Sequence, residues 1–507
     1  MRLATLDSPS RAACAAAWER GDSSVVFAVD AADLLTPVAA YMRLAAMNGS
    51  DGRNTLLLES VEGGASRGRY SVIALKPDLL WRCHDGKAAV NRNAMTDAEA
   101  YVSLDEAPLE SLRKLINESR LQLDDSLPPM TAGVFGYLGY DMVRQMERLP
   151  NAPVDDLGLP EAILMRPGLF VIFDTVTDEL ILAAPIRPRA DDQPDMAFDR
   201  ATRLIQEAQA CLAAPLTVPQ ESAVEALEPP HSTYTEAEFE DVVRRIQDYI
   251  AAGDAFQVVP SQRFSTPFGL SSLALYRSLR RINPAPFLFH LNLGGFSLVG
   301  SSPEILVRLR DGKMTVRPLA GTRPRGADAE EDKRLEEELL ADEKERAEHL
   351  MLIDLGRNDV GRVSITGSVK VTEKFIIERF SHVMHISSNV EGMLKPELDA
   401  LDALVAAFPA GTLTGAPKIR AMEIIDEVER TRRATYAGCI GYFGAGGDMD
   451  TCIGLRMAVV KDGMMYVQAG CGVVADSVPS LECAETKHKA RALFRAAEDA
   501  VRMAMRG

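Results

Sequence analysis

Residues 287–310 read FLFHLNLGGFSLVGSSPEILVRLR, short apolar runs separated by Gly, Ser, Pro and a few polar residues. The stretch predicts a chain of strands with no helix between them. Toward the C-terminus, Glu330–Leu355 predicts one long helix, closed by a turn at Gly356-Arg357-Asn358-Asp359. Phe408-Pro409 opens a loop, and helices are expected over Pro417–Glu429 and Pro479–Arg502. Toward the N-terminus stand a helix near Ser272–Arg280 and a strand-like Phe256–Val259. Before these, Thr235 and Glu238 form a capping box ahead of Phe239, Val242, Val243, Ile246 and Ile250, with Gly253 as the stop. Groups of strands and long helices, without the regular strand-helix-strand beat of a Rossmann fold, predict α+β. The expected form is large, mostly antiparallel sheets in an α/β sandwich with flanking helices.

The first 212 residues read mainly as strands. Leu56–Glu59 and Arg69–Ile73 flank a break at Gly63-Gly64. Leu169–Phe173 should pair with Glu179–Ala183 across the turn at 174–178, ahead of a helix near Phe198–Leu212. Residues 213–233, rich in Pro, Glu and Ala without sustained period, form the expected linker between units 1–212 and 234–507. One internal echo joins the two units: Ala132–Gly139 (AGVFGYLG) resembles Ala437–Gly444 (AGCIGYFG). Two similar glycine-rich strands meeting tight packing explain it more simply than a duplicated half-domain.

The 507 residues carry a formal charge of −17, which disfavours nucleic acid and anionic membrane as partners. An anionic substrate would therefore need local positive charge or a metal. Seven scattered cysteines without a C-x-x-C pair favour reduced thiols in a cytoplasmic protein. No apolar run approaches the ~18–20 residues of a membrane span.

Glu345/Glu348 and Glu482/Glu485 are spaced to share a helix face, and two such faces could hold a divalent cation through oxygen ligands. Each pair alone is more simply a solvated face; what singles out the first is the change from acidic to apolar sequence after His349. Gly470 and Gly472 would let backbone N–H groups approach an anion, Lys489 adds a point charge, and Arg456 suits a carboxylate. His385 lies in a strand whose alternation separates it from His382, as a core residue or a general acid–base group. Cys439 and Cys471 only mimic nucleophile elbows, and Gly411–Lys418 has the wrong spacing for a Walker loop.

Together, Arg317–Gly326 (RPLAGTRPRG), Asp342–Asp359 (DEKERAEHLMLIDLGRND), Pro409–Lys418 (PAGTLTGAPK), and Gly470–Gly472 with Glu482–Lys489 resemble the chorismate-utilising synthases, in particular their anthranilate-forming branch. The resemblance covers nearly the whole chain and is strongest over 234–497. It implies a Mg2+-dependent reaction in which ammonia adds to chorismate, the ring hydroxyl leaves and pyruvate is eliminated to give anthranilate. It also implies Glu348 and Glu485 as metal ligands, with Glu345 and Glu482 acting through water and Glu345 a candidate proton donor. Gly321, Thr322, Gly470 and Lys489 would hold the ring carboxylate; Tyr436, Arg456 and Gly472 would hold the enolpyruvyl carboxylate. His385 is the implied acid–base group, with Thr412 nearby. A lysine before Gly321-Thr322 would mark another specificity; Ala320 favours ammonia. Because no amidotransferase domain is evident, the resemblance implies a separate glutamine amidotransferase subunit in a heterotetramer of two large and two small subunits. It further implies feedback inhibition by tryptophan, first in the pathway it ends, through Glu59, Ser60, Pro286, Phe287 and Leu288 in a regulatory N-terminal unit. Ala285, Phe287 and Leu288 depart from the family's usual Ser, Tyr and Met there, which bears on how strongly tryptophan acts.

Overall fold

The computed structural model describes residues 8–49, 51–60, 68–190, 192–218, 221, 226–380 and 383–505. The Gly63-Gly64 break, His382, and linker residues 219–220 and 222–225 lie outside these.

Two long strands, Tyr70–His84 and Ala162–Asp174, pair antiparallel along their length, and the rest of the sheet grows from them. Their register slips between Pro77 and Leu79, beside Lys76 at φ 54°, so the ribbon bends and each half joins a different layer. One layer continues from Tyr70–His84 through Thr55–Glu59, Phe287–Asn292, Ser297–Ser302, Met457–Lys461 and Met464–Gly470 to Ser261–Pro267. The other runs from Ala162–Asp174 through Gly133–Leu138, Cys439–Gly444, Met449–Ile453, Ile305–Arg310 and Lys313–Val316 to Val383–Met393. These ladders are antiparallel, part of a 21-stranded sheet among the described residues. The expected sandwich is what forms.

Phe135, Phe170, Phe289, Leu298 and Tyr442 fill the space between the layers. On the outer faces, Leu275, Leu279, Leu493 and Ala497 cover one layer, and Leu112, Ile353, Val360 and Leu404 cover the other. The expected hairpin forms, with Phe170 opposite Ala183 and Asp174 opposite Glu179. So does the capping box, with Thr235 Oγ1 accepting from Glu238 N–H at the head of Glu236–Ala251.

The two echoing segments lie side by side: Gly136 faces Gly441 and Leu138 faces Cys439. A Cβ on Gly136 would stand 2.0 Å from Ile163 O, and one on Gly441 would stand 2.1 Å from Asp450 O. Both sites therefore exclude any side chain. This ladder and that of Thr55–Glu59 with Phe287–Asn292 carry the sheet across the 213–233 boundary.

Two helix expectations need correction. Glu330–Leu355 is not one helix but two, Ala329–Ala341 and Glu343–Val363. Asp342 breaks it: its backbone is extended, and its carboxylate accepts from Lys344 and Glu345 N–H as an N-cap. The turn expected at Gly356–Asp359 is also absent, because the second helix continues to Val363 with Gly356 packed against Val316. Its apolar face there meets the sheet, and that packing outweighs the local glycine signal. Among the described residues no helix is long and apolar enough to cross a membrane, and all seven cysteines are free.

Gly136→Ala should destabilise the protein by at least ~1–3 kcal/mol, read as a lowered urea midpoint, because its methyl meets backbone rather than a movable side chain. Gly446→Ala, where a Cβ meets nothing within 4 Å, is the control.

Candidate active site

Asp342 starts the helix that carries the first carboxylates. Arg323 bridges from the neighbouring strand, donating to Asp342 at 2.8 Å, Glu338 at 2.9 Å and Glu345 at 3.3 Å. That strand, Leu319–Pro324, loses register against Val383–Met393 between Ala320 and Arg323. The irregularity turns Gly321 to φ 64°, where a Cβ would stand 3.1 Å from Glu345 Oε2. Glu345 thus lies directly over Gly321-Thr322.

His385 projects from the facing strand. Its Nδ1 lies 2.8 Å from Gly321 O and 3.1 Å from Thr322 Oγ1. A carbonyl can only accept, so Nδ1 carries the proton and Nε2 is left with a lone pair. Burial lowers the pKa, and Arg456 and Lys489 lower it further. The imidazole is therefore a neutral base at neutral pH.

Arg456 does not end a strand as expected. The strand stops at Ile453, and Arg456 sits in the turn before Met457 at φ 51°. The turn is held from both sides: Ala437 N–H donates to Gly454 O, Gly454 N–H to Gly438 O, and Ser301 N–H to Arg456 O. Burial lowers the Arg456 pKa, with Tyr436 and Glu485 opposing. Tyr436 OH lies over Gly470, 3.0 Å from where a Cβ would be.

Lys489 reaches from the helix Pro479–Ala504 to Gly470 O at 2.9 Å and Glu485 Oε1 at 2.6 Å. The sequence thus placed Gly321, Thr322, His385, Tyr436, Arg456, Gly470, Glu485 and Lys489 in what proves to be one neighbourhood. Gly472 sits at its edge beneath Gln257, whose Nε2 would be 2.8 Å from a Cβ there.

The two Glu-x-x-Glu faces also approach one another. Burial pushes the Glu348 carboxyl up to about 7, and Glu345 and Glu482 push in the same direction. Glu482 is raised by burial and by Glu485, and its Oε2 is buried without a hydrogen-bond partner. Hard carboxylate oxygens, mutually repelling and partly unsatisfied, are the donor set a divalent cation would relieve. As they stand, no three His, Cys, Asp or Glu residues among the described ones converge to ligand distance. Glu485 is meanwhile taken up by Lys489.

Glu304 went unnoticed in the sequence. It follows Ser302-Pro303 and is buried at 8 % exposure, accepting from Thr412 Oγ1 at 3.1 Å. Burial pushes its carboxyl up to about 8. A glutamate set between apolar strand runs was the available signal.

The discarded motifs stay discarded. Burial raises the Cys439 thiol to about 12 and Cys471 well above its ordinary value, the wrong direction for a nucleophile. Lys418 is spent on Asp359 at 2.9 Å.

The N-terminal group lies elsewhere. Ser60 Oγ donates to Pro286 O at 3.2 Å, and Phe287 is half-buried beside it. Leu288 is buried at 1 % exposure. Glu59, also buried, is engaged by Arg280 at 2.7 and 3.1 Å and by Tyr276 OH at 2.5 Å.

A sandwich whose carboxylate-bearing helices stand near an arginine, a lysine and a neutral histidine has the charge and proton-transfer groups of an enzyme for a small anionic substrate. The sequence pattern of the chorismate binding enzymes matches residues 70–495. Anthranilate synthase component 1 of Cereibacter sphaeroides is 53% identical over 95% of this chain and 96% of its own. The crystal structure of anthranilate synthase component I from Streptococcus pneumoniae is 36% identical, with TM-score 0.74 over 91% of this chain and 98% of its own. The menaquinone-specific isochorismate synthase of Escherichia coli shares the fold at TM-score 0.70 and 17% identity, over 96% of this chain and 100% of its own. The chain belongs to the chorismate binding enzyme family, in its anthranilate synthase component 1 branch.

Glu304 should hold its proton at neutral pH, giving a carboxylic acid infrared band that Glu304→Gln removes. Its folded pKa lies above the unfolded value. Its stabilising contribution is therefore complete below the ordinary carboxyl range and is lost as pH rises through about 8. Glu304→Gln should flatten that part of the stability profile.

Proposed function

We propose that this protein catalyses the anthranilate synthase reaction: chorismate and ammonia give anthranilate, pyruvate and water. The carrying observation is the convergence of Arg456, Lys489 and neutral His385 opposite Glu345, Glu348 and Glu482, within a chain of this family. Two cations on separate elements suit a substrate with two carboxylates. Lys489, with Gly321-Thr322 and Gly470, holds the ring carboxylate; Arg456, with Tyr436 and Gly472, holds the enolpyruvyl carboxylate.

Ammonia bonds to the ring carbon beside the carboxylate, and the ring hydroxyl departs as water with a proton. Glu345 lies over Gly321 and is one source of that proton. Glu304 is favoured, because burial keeps it protonated. In the second stage His385 Nε2 takes the ring proton, the C–O bond to the enolpyruvyl group breaks and its methylene is protonated, releasing pyruvate as the ring becomes aromatic. The histidine is ready for this only because Gly321 O pins the proton on Nδ1. Ala320 provides no amine to compete with ammonia.

Mg2+ fits the carboxylate set. Glu348 and Glu485 would hold it directly and Glu345 and Glu482 through water, with Glu485 released from Lys489. When bound, the ion supplies charge neutralisation at the ring carboxylate. Glutamine-derived ammonia would come from a separate amidotransferase subunit, consistent with relatives named as one component, and the assembly would be a heterotetramer. Tryptophan would inhibit by binding beside Ser60, Pro286 and Phe287. Glu59 and Leu288 would shape that site from behind, since Glu59 is saturated by Arg280 and Tyr276.

With chorismate, ammonium and Mg2+, the purified chain should form fluorescent anthranilate, less of it when tryptophan is added, and none from glutamine without the partner. Isochorismate or aminodeoxychorismate as product would refute the assignment. Glu348→Gln should reduce turnover to background while the fold is retained by circular dichroism.

The Glu348 carboxyl must ionise to bind the metal. The Mg2+ concentration for half-maximal activity should therefore rise as pH falls through about 7, approaching about tenfold per unit below it.

A further inference from the structure

At one edge of the sandwich lies a cavity of about 1120 Å3 that shares no residue with the sites above. Six arginines, Arg20, Arg92, Arg120, Arg166, Arg187 and Arg189, are among its described lining, against three acidic residues. In a chain of charge −17 this is a local reversal of sign.

The cations are unequally matched. Arg166 grips Asp78 at 2.7 and 2.9 Å, and Arg189 takes the same carboxylate at 2.7 Å. Arg92 grips Glu118 at 3.0 and 2.9 Å, with Arg166 3.5 Å away. Two carboxylates thus pair with three arginines, and Arg187, though drawn electrostatically to both, forms no ion pair with either among the described residues. Its Nε and Nη2 are shielded from solvent and find no acceptor. Burial, then repulsion from Arg166, pull its pKa down to about 10 against the attraction of Asp78 and Glu118, which leaves it charged at neutral pH. Arg120, exposed at the mouth, has no ion-pair partner among the described residues.

A shielded guanidinium without an acceptor costs free energy that a bound anion would recover. Nε and Nη2 give up no hydrogen bond when Arg187 turns toward a ligand. Arg92, Arg166, Arg187 and Arg189 exceed Asp78 and Glu118 by two charges, the charge of a phosphate dianion. Forks arriving from several directions also suit a tetrahedral oxyanion better than a flat carboxylate. The cavity is far larger than phosphate, and Val25, Phe27, Leu121 and Leu127 give it an apolar side. We propose that this cavity binds a phosphate-bearing small molecule, with Arg187 gripping the phosphate.

The test is titration calorimetry and thermal melting of the full chain in phosphate-free buffer with EDTA. The probes are inorganic phosphate, adenosine 5′-monophosphate and citrate. Binding of either phosphate probe with a raised Tm is expected, weakened at least about tenfold in Arg187→Met. Tighter binding of the monophosphate would assign an organic ester; equal binding would assign free phosphate. Without ligand, Arg187→Met should melt at or above the wild-type temperature, since it removes a shielded guanidinium whose Nε and Nη2 have no acceptor; Arg187→Gln is carried in parallel in case the apolar variant does not fold. Arg456→Gln, altered only in the other anion site, should bind the probes as the wild type does. The proposal is overturned if neither phosphate probe binds, if both Arg187 variants bind as tightly as wild type, if binding is lost in Arg456→Gln, or if citrate binds as well as phosphate.

Discussion

Everything at the site hangs on the close approach of two glycine-bearing strands, Gly133–Leu138 and Cys439–Gly444. Gly136 and Gly441 admit neighbouring carbonyls to where their own Cβ atoms would be, so the layer closes without a gap. That seam joins the early and late parts of the chain and fixes the segment just before it. Ala437 and Gly438 exchange backbone hydrogen bonds with Gly454, which sets the turn at Arg456 and orients Tyr436 over Gly470. The position of Arg456 is therefore a product of backbone packing.

Electrostatics supply the second constraint. A chain of −17 in a chorismate-binding family has to gather positive charge locally. Arg456 and Lys489 stand close to Glu485, and the carboxylates beside them crowd at a cost visible in Glu348 and Glu482, whose pKa values burial raises. Such crowding is unstable in isolation and is what a cation relieves. His385 is kept neutral chiefly by burial, with Arg456 and Lys489 adding to it against Gly321 O and Glu378.

Much of this was legible along the sequence. The run at 287–310 announced antiparallel strands, the capping box at Thr235 announced a helix start, and the Glu-x-x-Glu pairs announced two carboxylate faces. These are local signals, read from spacing over a few residues. The misreadings were local as well. Asp342 looked like one more acid in an acidic helix, and only its extended backbone shows it as a cap. Gly356 looked like a stop, and packing on Val316 carried the helix past it.

The sequence by itself determined which residue types are present and what local geometry they prefer: the mostly antiparallel strands, the helix starts, the carboxylate pairs and the absence of a lysine at Ala320. Tertiary structure alone decided what those groups are chemically. The proton on His385 Nδ1 follows from Gly321 O, sixty-four positions away in the chain. The protonated state of Glu304 follows from burial beside Thr412. Likewise, Arg187 Nε and Nη2 are left without acceptors while Asp78 and Glu118 are bonded to other arginines. Protonation and pairing depend on solvent exclusion and on neighbours brought together from distant segments, and no spacing along a chain encodes either.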